Sequence, residues 1–282
     1  MWQPILLSAG CIPALILLAA VFIERWRRKR RGERQPLSEK LLRPPGYSLQ
    51  RKLEDLDDAF IAWFMGTFLF SLGAIGAFAA MPADAIGRFM FFVVFALGAA
   101  VAAIMAWRKA NQMRDYRRGL LGEQAVAEQL QPLVANGYRI FHDVPGDGQW
   151  NIDHVVVGPA GVFAIETKYR TKKPGRAGER DYEVVFDGST IQYPSGYRDA
   201  KALKQARNNA RDLAKILGKA VTVRPILALP GWLVTLKAKS DLKVLSGKYV
   251  PDFISSEPAQ LSDKAIQQIS YQLEQRCRDV EF

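Results

Sequence analysis

Three long apolar runs constrain this chain more than any other feature. Residues 1–23 carry no charge and are strongly apolar from Ile5 onward; residues 59–81 and 89–107 repeat the pattern, with only PADAIGR at 82–88 between them. Roughly 20 apolar residues cross the hydrocarbon core of a bilayer, where only helices and closed barrels satisfy their own backbone. The sequence therefore predicts three transmembrane α-helices, the first with Pro13 as a kink point and the other two forming a hairpin. Gly66, Gly73, Gly76, Gly98 and Ala99 suit close helix packing in lipid. A secretory signal would place its positive charges before the apolar core, whereas here RWRRKRR follows it at Arg25–Arg31.

Charge sets the orientation of these spans. The formal net charge is +11, but residues 1–118 hold 17 Lys and Arg against 9 Asp and Glu, while the remainder holds 22 against 19. The basic excess thus lies beside the apolar runs, where a bilayer accounts for it better than nucleic acid does. The segment 24–58 contains 11 Lys and Arg and the segment 107–118 five, whereas 82–88 contains one. The positive-inside rule places both basic segments in the cytoplasm and the N-terminus outside. The expected location is the cell (inner) membrane, multi-pass, with residues 108–282 cytoplasmic. Two cysteines, Cys11 and Cys277, give neither a disulfide framework nor a CxxC metal pattern.

The expected organisation is a first span at 1–23, a basic linker at 24–58 with a short amphipathic helix around Leu49–Leu56, and the hairpin at 59–81 and 89–107. A basic juxtamembrane segment follows at 108–118, then a soluble domain at 119–232 completed by strands and a helix at 233–282. Within the soluble part, a helix covers 120–131 and ends at Pro132. Strands follow at 138–144, 152–157 and 162–165, and a second hairpin at 182–193 turns on Asp187-Gly188. Leu203, Ala206, Ala210, Leu213 and Leu217 recur at helical spacing over 199–217, and Lys204, Arg207, Arg211 and Lys215 form a separate basic stripe. A strand at 223–229, two weaker strands and a helix at 261–280 close the chain. The fold class is α/β, a mixed sheet flanked by helices.

One stretch of this domain is chemically unusual. NIDHVVVGPAGVFAIETKY, Asn151–Tyr169, reads as two apolar strands around a Gly-Pro-Ala-Gly turn, interrupted by Asp153, Glu166 and Lys168. Alternation along a strand puts Glu166 and Lys168 on one side, and a hairpin can bring Asp153 across to them. Two carboxylates and an amine at a sheet edge are costly to bury without a metal or substrate. Mg²⁺ takes oxygen ligands and retains waters, so Asp153 and Glu166 suffice for it. Lys168 would orient or help deprotonate an attacking water and stabilise negative charge. That set suits phosphodiester hydrolysis.

These residues also carry a family resemblance. GEQAV (Gly122–Val126), NIDHVVVGPAGVFAIETK (Asn151–Lys168) and KQARNNA (Lys204–Ala210) resemble the signatures of the nuclease-related (NERD) domain of the PD-(D/E)xK nuclease superfamily, over about residues 115–232. The resemblance implies a restriction-endonuclease-like fold and a nuclease site dependent on Mg²⁺ or Mn²⁺. By position, Asp153 and Glu166 correspond to its acidic metal ligands and Lys168 to its lysine. Glu123 corresponds to an acidic residue that some members add to the metal shell, and Gln205 to a glutamine that assists substrate or metal positioning. Ile152 stands where the superfamily motif has proline. The expected partners are nucleic acid, DNA in preference to RNA, and the lipid bilayer. The competing expectation is a catalytically silent domain that tethers nucleic acid or acts as a scaffold at the membrane. His154, on the opposite strand face from Asp153, is expected to pack rather than ligate.

Overall fold

The structure is a computed structural model, and it describes residues 40–80, 85–148, 150–172, 180–218 and 221–280, together with Ile23 and Arg27. The expected first span at 1–23, apart from Ile23, lies outside the described residues. The chain divides into two units; among the described residues one takes in 54–113 and the other 40–53 with 114–280.

The first unit is built from parts of two long helices, residues 54–80 of α1 (Tyr47–Ala80) and residues 85–113 of α2 (Ala85–Leu130). Both outrun the apolar runs that seeded them. α1 absorbs the short amphipathic helix expected near Leu49–Leu56, because no proline or capping glycine separates it from the apolar run. α2 likewise continues without a break through the basic segment 108–118 into the helix expected at 120–131. Within the unit, glycines set the packing: a Cβ on Gly73 would lie 2.4 Å from Phe95, and one on Gly98 would lie 2.7 Å from Phe70. Phe70 and Phe95 themselves meet with ring centroids 6.3 Å apart. Tyr47–Gly76 and Phe89–Ala135 are long and apolar enough to cross a membrane. Apolar side chains of their hydrophobic stretches, such as Phe64, Phe92, Val94 and Leu97, are mostly exposed, so these stretches are not buried core helices of the structure.

The second unit is a mixed α/β sandwich. Its principal sheet comprises β2 (Arg139–Pro145), β3 (Asn151–Gly158), β4 (Gly161–Thr167), β8 (Val223–Ala228) and β10 (Lys243–Leu245), in the order β10-β8-β4-β3-β2. β2, β3 and β4 run antiparallel in sequence, and β4, β8 and β10 are parallel neighbours. β1 (Leu41–Leu42) precedes α1, and α3 (Pro132–Ala135) is a single turn after α2. A smaller sheet holds β5 (Glu183–Phe186), β6 (Ile191–Gln192), β7 (Arg198–Asp199) and β9 (Leu233–Leu236), ordered β7-β6-β5-β9.

Strand alternation sends β4 to two cores at once. Val162 and Ala164 pack with Ala210, Leu213 and Leu217 of α4 (Lys201–Leu217) and with Ile266, Ile269 and Leu273 of α6 (Asp263–Cys277). Phe163 and Ile165 face the other way, onto Val126 and Leu130 of α2 and onto Val250 and Ile254 of α5 (Val250–Ser256). Each fully buried Val, Leu, Ile or Phe contributes roughly 1.5–3 kcal/mol, so β4 is the strand the domain can least lose. α5 was not foreseen; Pro251 in its first turn and Asp252 are the start signals.

The segment 24–58, read from sequence as a linker, is only partly one. Leu41–Leu42 pair antiparallel with β11 (Arg278–Val280), the strand that ends the expected closing helix early. Arg43 Nε donates to Asp279 at 2.7 Å and Arg43 Nη1 lies 3.2 Å from Asp143 Oδ2. Residues 40–53 are therefore a strap of the second unit, held to parts of the chain 100 and 236 residues away.

Candidate active site

β3 and β4 bring the charged residues of the hairpin together. The ladder pairs His154 with Ile165 and Val157 with Val162, which carries Asp153 to the level of Glu166 and Thr167. Asp153 Oδ2 accepts the Thr167 backbone N–H at 2.6 Å. Lys168 Nζ lies 2.6 Å from Glu166 Oε1, and Asn209 Nδ2 donates to Glu166 Oε2 at 2.7 Å. Asp153, Glu166 and Lys168 thus converge on one side of the sheet, the side on which α4 packs.

Glu123 reaches the same cluster from α2. It is 8% exposed, and its Oε2 is buried without a hydrogen-bond partner. Burial pushes its carboxyl up to about 8, reinforced by the negative charges of Asp143 and Glu166. Burial also raises Asp153 well above the usual carboxylate range, aided by Glu166 and Glu123, and raises Glu166 against the pull of Lys168 and Asn209. Burial is the first cause of all three shifts; like charge adds to it at Glu123 and Asp153, while at Glu166 burial alone raises the carboxyl. Burial works to lower Lys168, but the neighbouring Glu166 outweighs it and the ammonium is held above its ordinary value. An amine so stabilised is a charge and a donor at neutral pH.

The orphaned oxygen of Glu123 and the surplus of carboxylates fit a hard divalent cation, which takes oxygen ligands. As they stand, no three His, Cys, Asp or Glu side chains among the described residues form a group that could hold a metal ion. A site here would draw on one or two carboxylates and on ligands from outside the chain.

Gln205 does not join the cluster. It is exposed on α4 and has no side-chain hydrogen-bond partner among the described residues. The side chain of that helix that reaches Glu166 is Asn209, one turn later and buried. A sequence signal for it existed: Asn209 falls on the stripe of Ala202, Ala206 and Leu213, a polar residue on the buried face. The basic stripe beside it is engaged locally. Arg207 pairs with Asp241, Lys215 with Asp212, and Arg211 with Asn208.

Gly122 has a steric role that sequence did not reveal. A Cβ there would lie 2.4 Å from Tyr169 Cβ, so the missing side chain lets the residue after Lys168 settle against α2. His154 packs as expected. It is fully buried, its Nδ1 lies 2.9 Å from His142 Nδ1, and burial holds both imidazoles neutral, His142 at about 4.

Residues 118–230 match the family model described as the nuclease-related domain, NERD. No curated protein matched the chain, and no solved structure did.

Proposed function

The chain carries a nuclease-related domain over residues 118–230, and from that premise we propose that it is a membrane-anchored, metal-dependent nuclease acting on nucleic acid, DNA in preference to RNA, at the cytoplasmic face. The observation that carries this reading is the cluster itself. Asp153 and Glu166 are held rigidly at adjacent strand ends, Lys168 is fixed 2.6 Å from Glu166, and Glu123 is buried with an unpartnered oxygen. Buried polar groups are nearly always hydrogen-bonded, so an uncompensated acid beside two others points to a ligand.

Asp153 and Glu166 would hold Mg²⁺ or Mn²⁺, with water and a substrate phosphate completing the shell, and the negative charge of Glu123 nearby would add to the attraction for the ion. Such an ion supplies Lewis acidity towards the phosphoryl oxygens and the attacking water. The chain's own groups supply the rest. Lys168 stays protonated and faces charge that grows on the phosphoryl oxygens. Asn209 and Lys168 together fix both oxygens of Glu166, so that its orientation is set before substrate arrives. The Thr167 N–H does the same for Asp153.

Anchoring is supported by the exposed apolar faces of Tyr47–Gly76 and Phe89–Ala135, of which the apolar run 89–107 would be the span within α2. In water such continuous apolar surface would drive aggregation. The basic segments 24–58 and 107–118 support a cytoplasmic domain.

The test is cleavage of labelled DNA and RNA by the purified full-length protein in detergent, with Mg²⁺, Mn²⁺ or EDTA. Metal-dependent cleavage that disappears in Asp153→Ala and in Lys168→Ala is the expected result. Nucleic acid bound but never cut, equally by wild type and both variants, would replace the enzyme with a tether.

A further inference from the structure

Beside the acid cluster lies an open cleft of about 510 Å³ whose lining includes Arg118, Lys168, Tyr169, Arg170, Tyr197 and Trp232. Lys168 belongs to both cleft and cluster, so whatever fills the cleft lies next to the phosphodiester proposed above. The wall is a rigid aromatic stack. Trp232 and Tyr193 meet edge to face at 5.3 Å, Tyr193 and Tyr197 are 5.8 Å apart, and the Arg170 guanidinium lies 4.2 Å over the Tyr197 ring. Hydrogen bonds lock this arrangement: Arg170 Nη2 donates to the Tyr197 hydroxyl at 3.0 Å and to Asp199 at 2.8 Å, and Trp232 Nε1 donates to the Arg170 carbonyl. Asp199 is itself fixed by the Ala202 N–H at the start of α4.

Two features mark this wall as a binding surface rather than a core. Tyr169 is 37% exposed and Tyr197 44%, so each presents ring area to solvent. Arg170 uses only Nη2 for hydrogen bonds of normal geometry, which leaves its Nη1 without a hydrogen bond among the described residues. Fixed rings with spare guanidinium donors suit a flat heteroaromatic group attached to an anion. Bases in a duplex are stacked on each other and present no face to a protein side chain; an unpaired base does. The cleft volume lies within the range of about 300–1,000 Å³ that holds a molecule of nucleotide size, and a duplex does not enter such a space.

We propose that this cleft receives one unpaired nucleotide of the strand whose phosphodiester sits at Glu166 and Lys168, so that the substrate is single-stranded or locally unpaired nucleic acid. The inference rests on the nucleic-acid reading above and deepens it. Tyr197 and Tyr169 offer stacking faces, and Arg118 and Arg170 flank the sugar-phosphate backbone. Asp115, 3.7 Å from Arg118 at the rim, is the one acid of the lining among the described residues, and it limits how strongly the cleft draws anions non-specifically.

The test reads binding in EDTA, where no metal-dependent cleavage occurs. The full-length protein in detergent is titrated into a labelled oligothymidylate and into a labelled duplex of the same length, with thymidine monophosphate as competitor. Single strand is expected to bind at least about tenfold tighter than duplex, and Tyr197→Ala is expected to weaken single-strand binding by about 5–100-fold, the range that loss of one stacked base produces. Tyr197→Phe keeps the ring and should retain most of the affinity. If Tyr197→Ala lowers the melting temperature, Tyr169→Leu, which keeps apolar contact with α2 but removes the ring face, carries the same expectation. Equal affinity for duplex and single strand, or unchanged affinity in a natively folded Tyr197→Ala or Tyr169→Leu protein, overturns the proposal. Competition by the mononucleotide as strong as by the oligomer also overturns it, in favour of a free-nucleotide pocket. Cleavage is scored separately, so a protein that binds single strands but never cuts sinks the nuclease reading alone.

Discussion

Two buried acids of the second unit lie within electrostatic reach of each other and are treated in opposite ways. Asp143 is 2% exposed and in the left-handed region at φ 49°, outside the β2–β3 ladder. It accepts from Ser48 N at 3.1 Å, Ser48 Oγ at 2.6 Å, Arg43 Nη1 at 3.2 Å and Asn151 Nδ2 at 3.3 Å. Glu123 is almost as buried, yet one of its oxygens has no partner and its carboxyl is pushed up to about 8. The fold plainly can saturate a buried carboxylate with donors. That it does so at the joint between strap and sheet, and not at Glu123, separates an acid that holds structure from one whose buried oxygen the fold leaves without a donor.

The comparison breaks most directly through activity. Asp153→Ala and Lys168→Ala are each expected to lower metal-dependent cleavage by at least about 100-fold, the scale of losing one preorganised group at developing charge. Asp153→Ala should hardly lower the melting temperature of the metal-free protein, whereas Lys168→Ala leaves Glu166 buried without its ammonium partner and should lower it. Glu123→Gln should also cut activity and should raise metal-free stability, since it removes an acid from a like-charged cluster. An active Asp153→Ala protein would end the functional reading of the cluster.

The opposite pattern is expected at Asp143. Arg43→Ala removes a guanidinium that lies between Asp143 and Asp279, with its side chain only 14% exposed. Breaking such a buried pair from one side costs about 3–5 kcal/mol, to be read as a drop in the denaturation midpoint. Activity per folded molecule should stay near wild type. A fragment beginning at Asp115 lacks Arg43, Ser48 and β1, and should be at least as destabilised. A fragment as stable as the whole chain would show that the strap contributes nothing.

A finer comparison lies on α4. Asn209→Ala leaves Glu166 Oε2 buried without its donor and should cost about 1–3 kcal/mol together with a fall in activity. Gln205→Ala, at an exposed position, should stay within about 0.5 kcal/mol of wild type. Equal effects at the two positions would mean that Gln205 reaches the site when substrate is bound.

These contrasts also show what the sequence could reveal. The 151–167 hairpin was legible because its turn, its β-branched runs and its period-two alternation are all local, and alternation alone placed Glu166 and Lys168 together. The helix at 201–217 was legible for the same reason, through Leu203, Ala206, Ala210 and Leu213. What escaped was non-local. Arg43 meets Asp279 across 236 residues and Asn209 meets Glu166 across 43, and no periodicity encodes either pairing. Gly122 is a similar case, for its reason is Tyr169, which the sheet brings to α2. The ends of the long helices were missed for another cause: a change from apolar to basic residues ends a span without ending a helix.

The smallest expected effect is a pH dependence in the metal-free protein, and it tests whether the cluster is as uncompensated as the contrast requires. His142 is held neutral down to about pH 4, and His154 is likewise lowered, whereas both protonate near 6.5 once unfolded. The unfolded chain therefore takes up more protons as pH falls from 6.5 to 4, and in that window the histidines remove stability. Glu123 acts with the opposite sign. Its carboxyl ionises near 4.5 when unfolded and near 8 in the fold, so between those values the fold holds the extra proton and loses stability as pH rises. Asp153 and Glu166, also raised, share that sign. From about pH 7.5 upward the histidines are nearly neutral in both states and the acids dominate. Metal-free stability should decline across this window, by at most about 1.4 kcal/mol per pH unit for each proton involved. Glu123→Gln should reduce the decline, and an excess of Mg²⁺ should oppose it by binding the ionised form. Denaturation midpoints in EDTA at pH 7.5, 8 and 8.5 are enough to see it. A flat profile in the wild type would mean that the acids already find compensation within the chain, as Asp143 does, and the distinction between the two clusters would be lost.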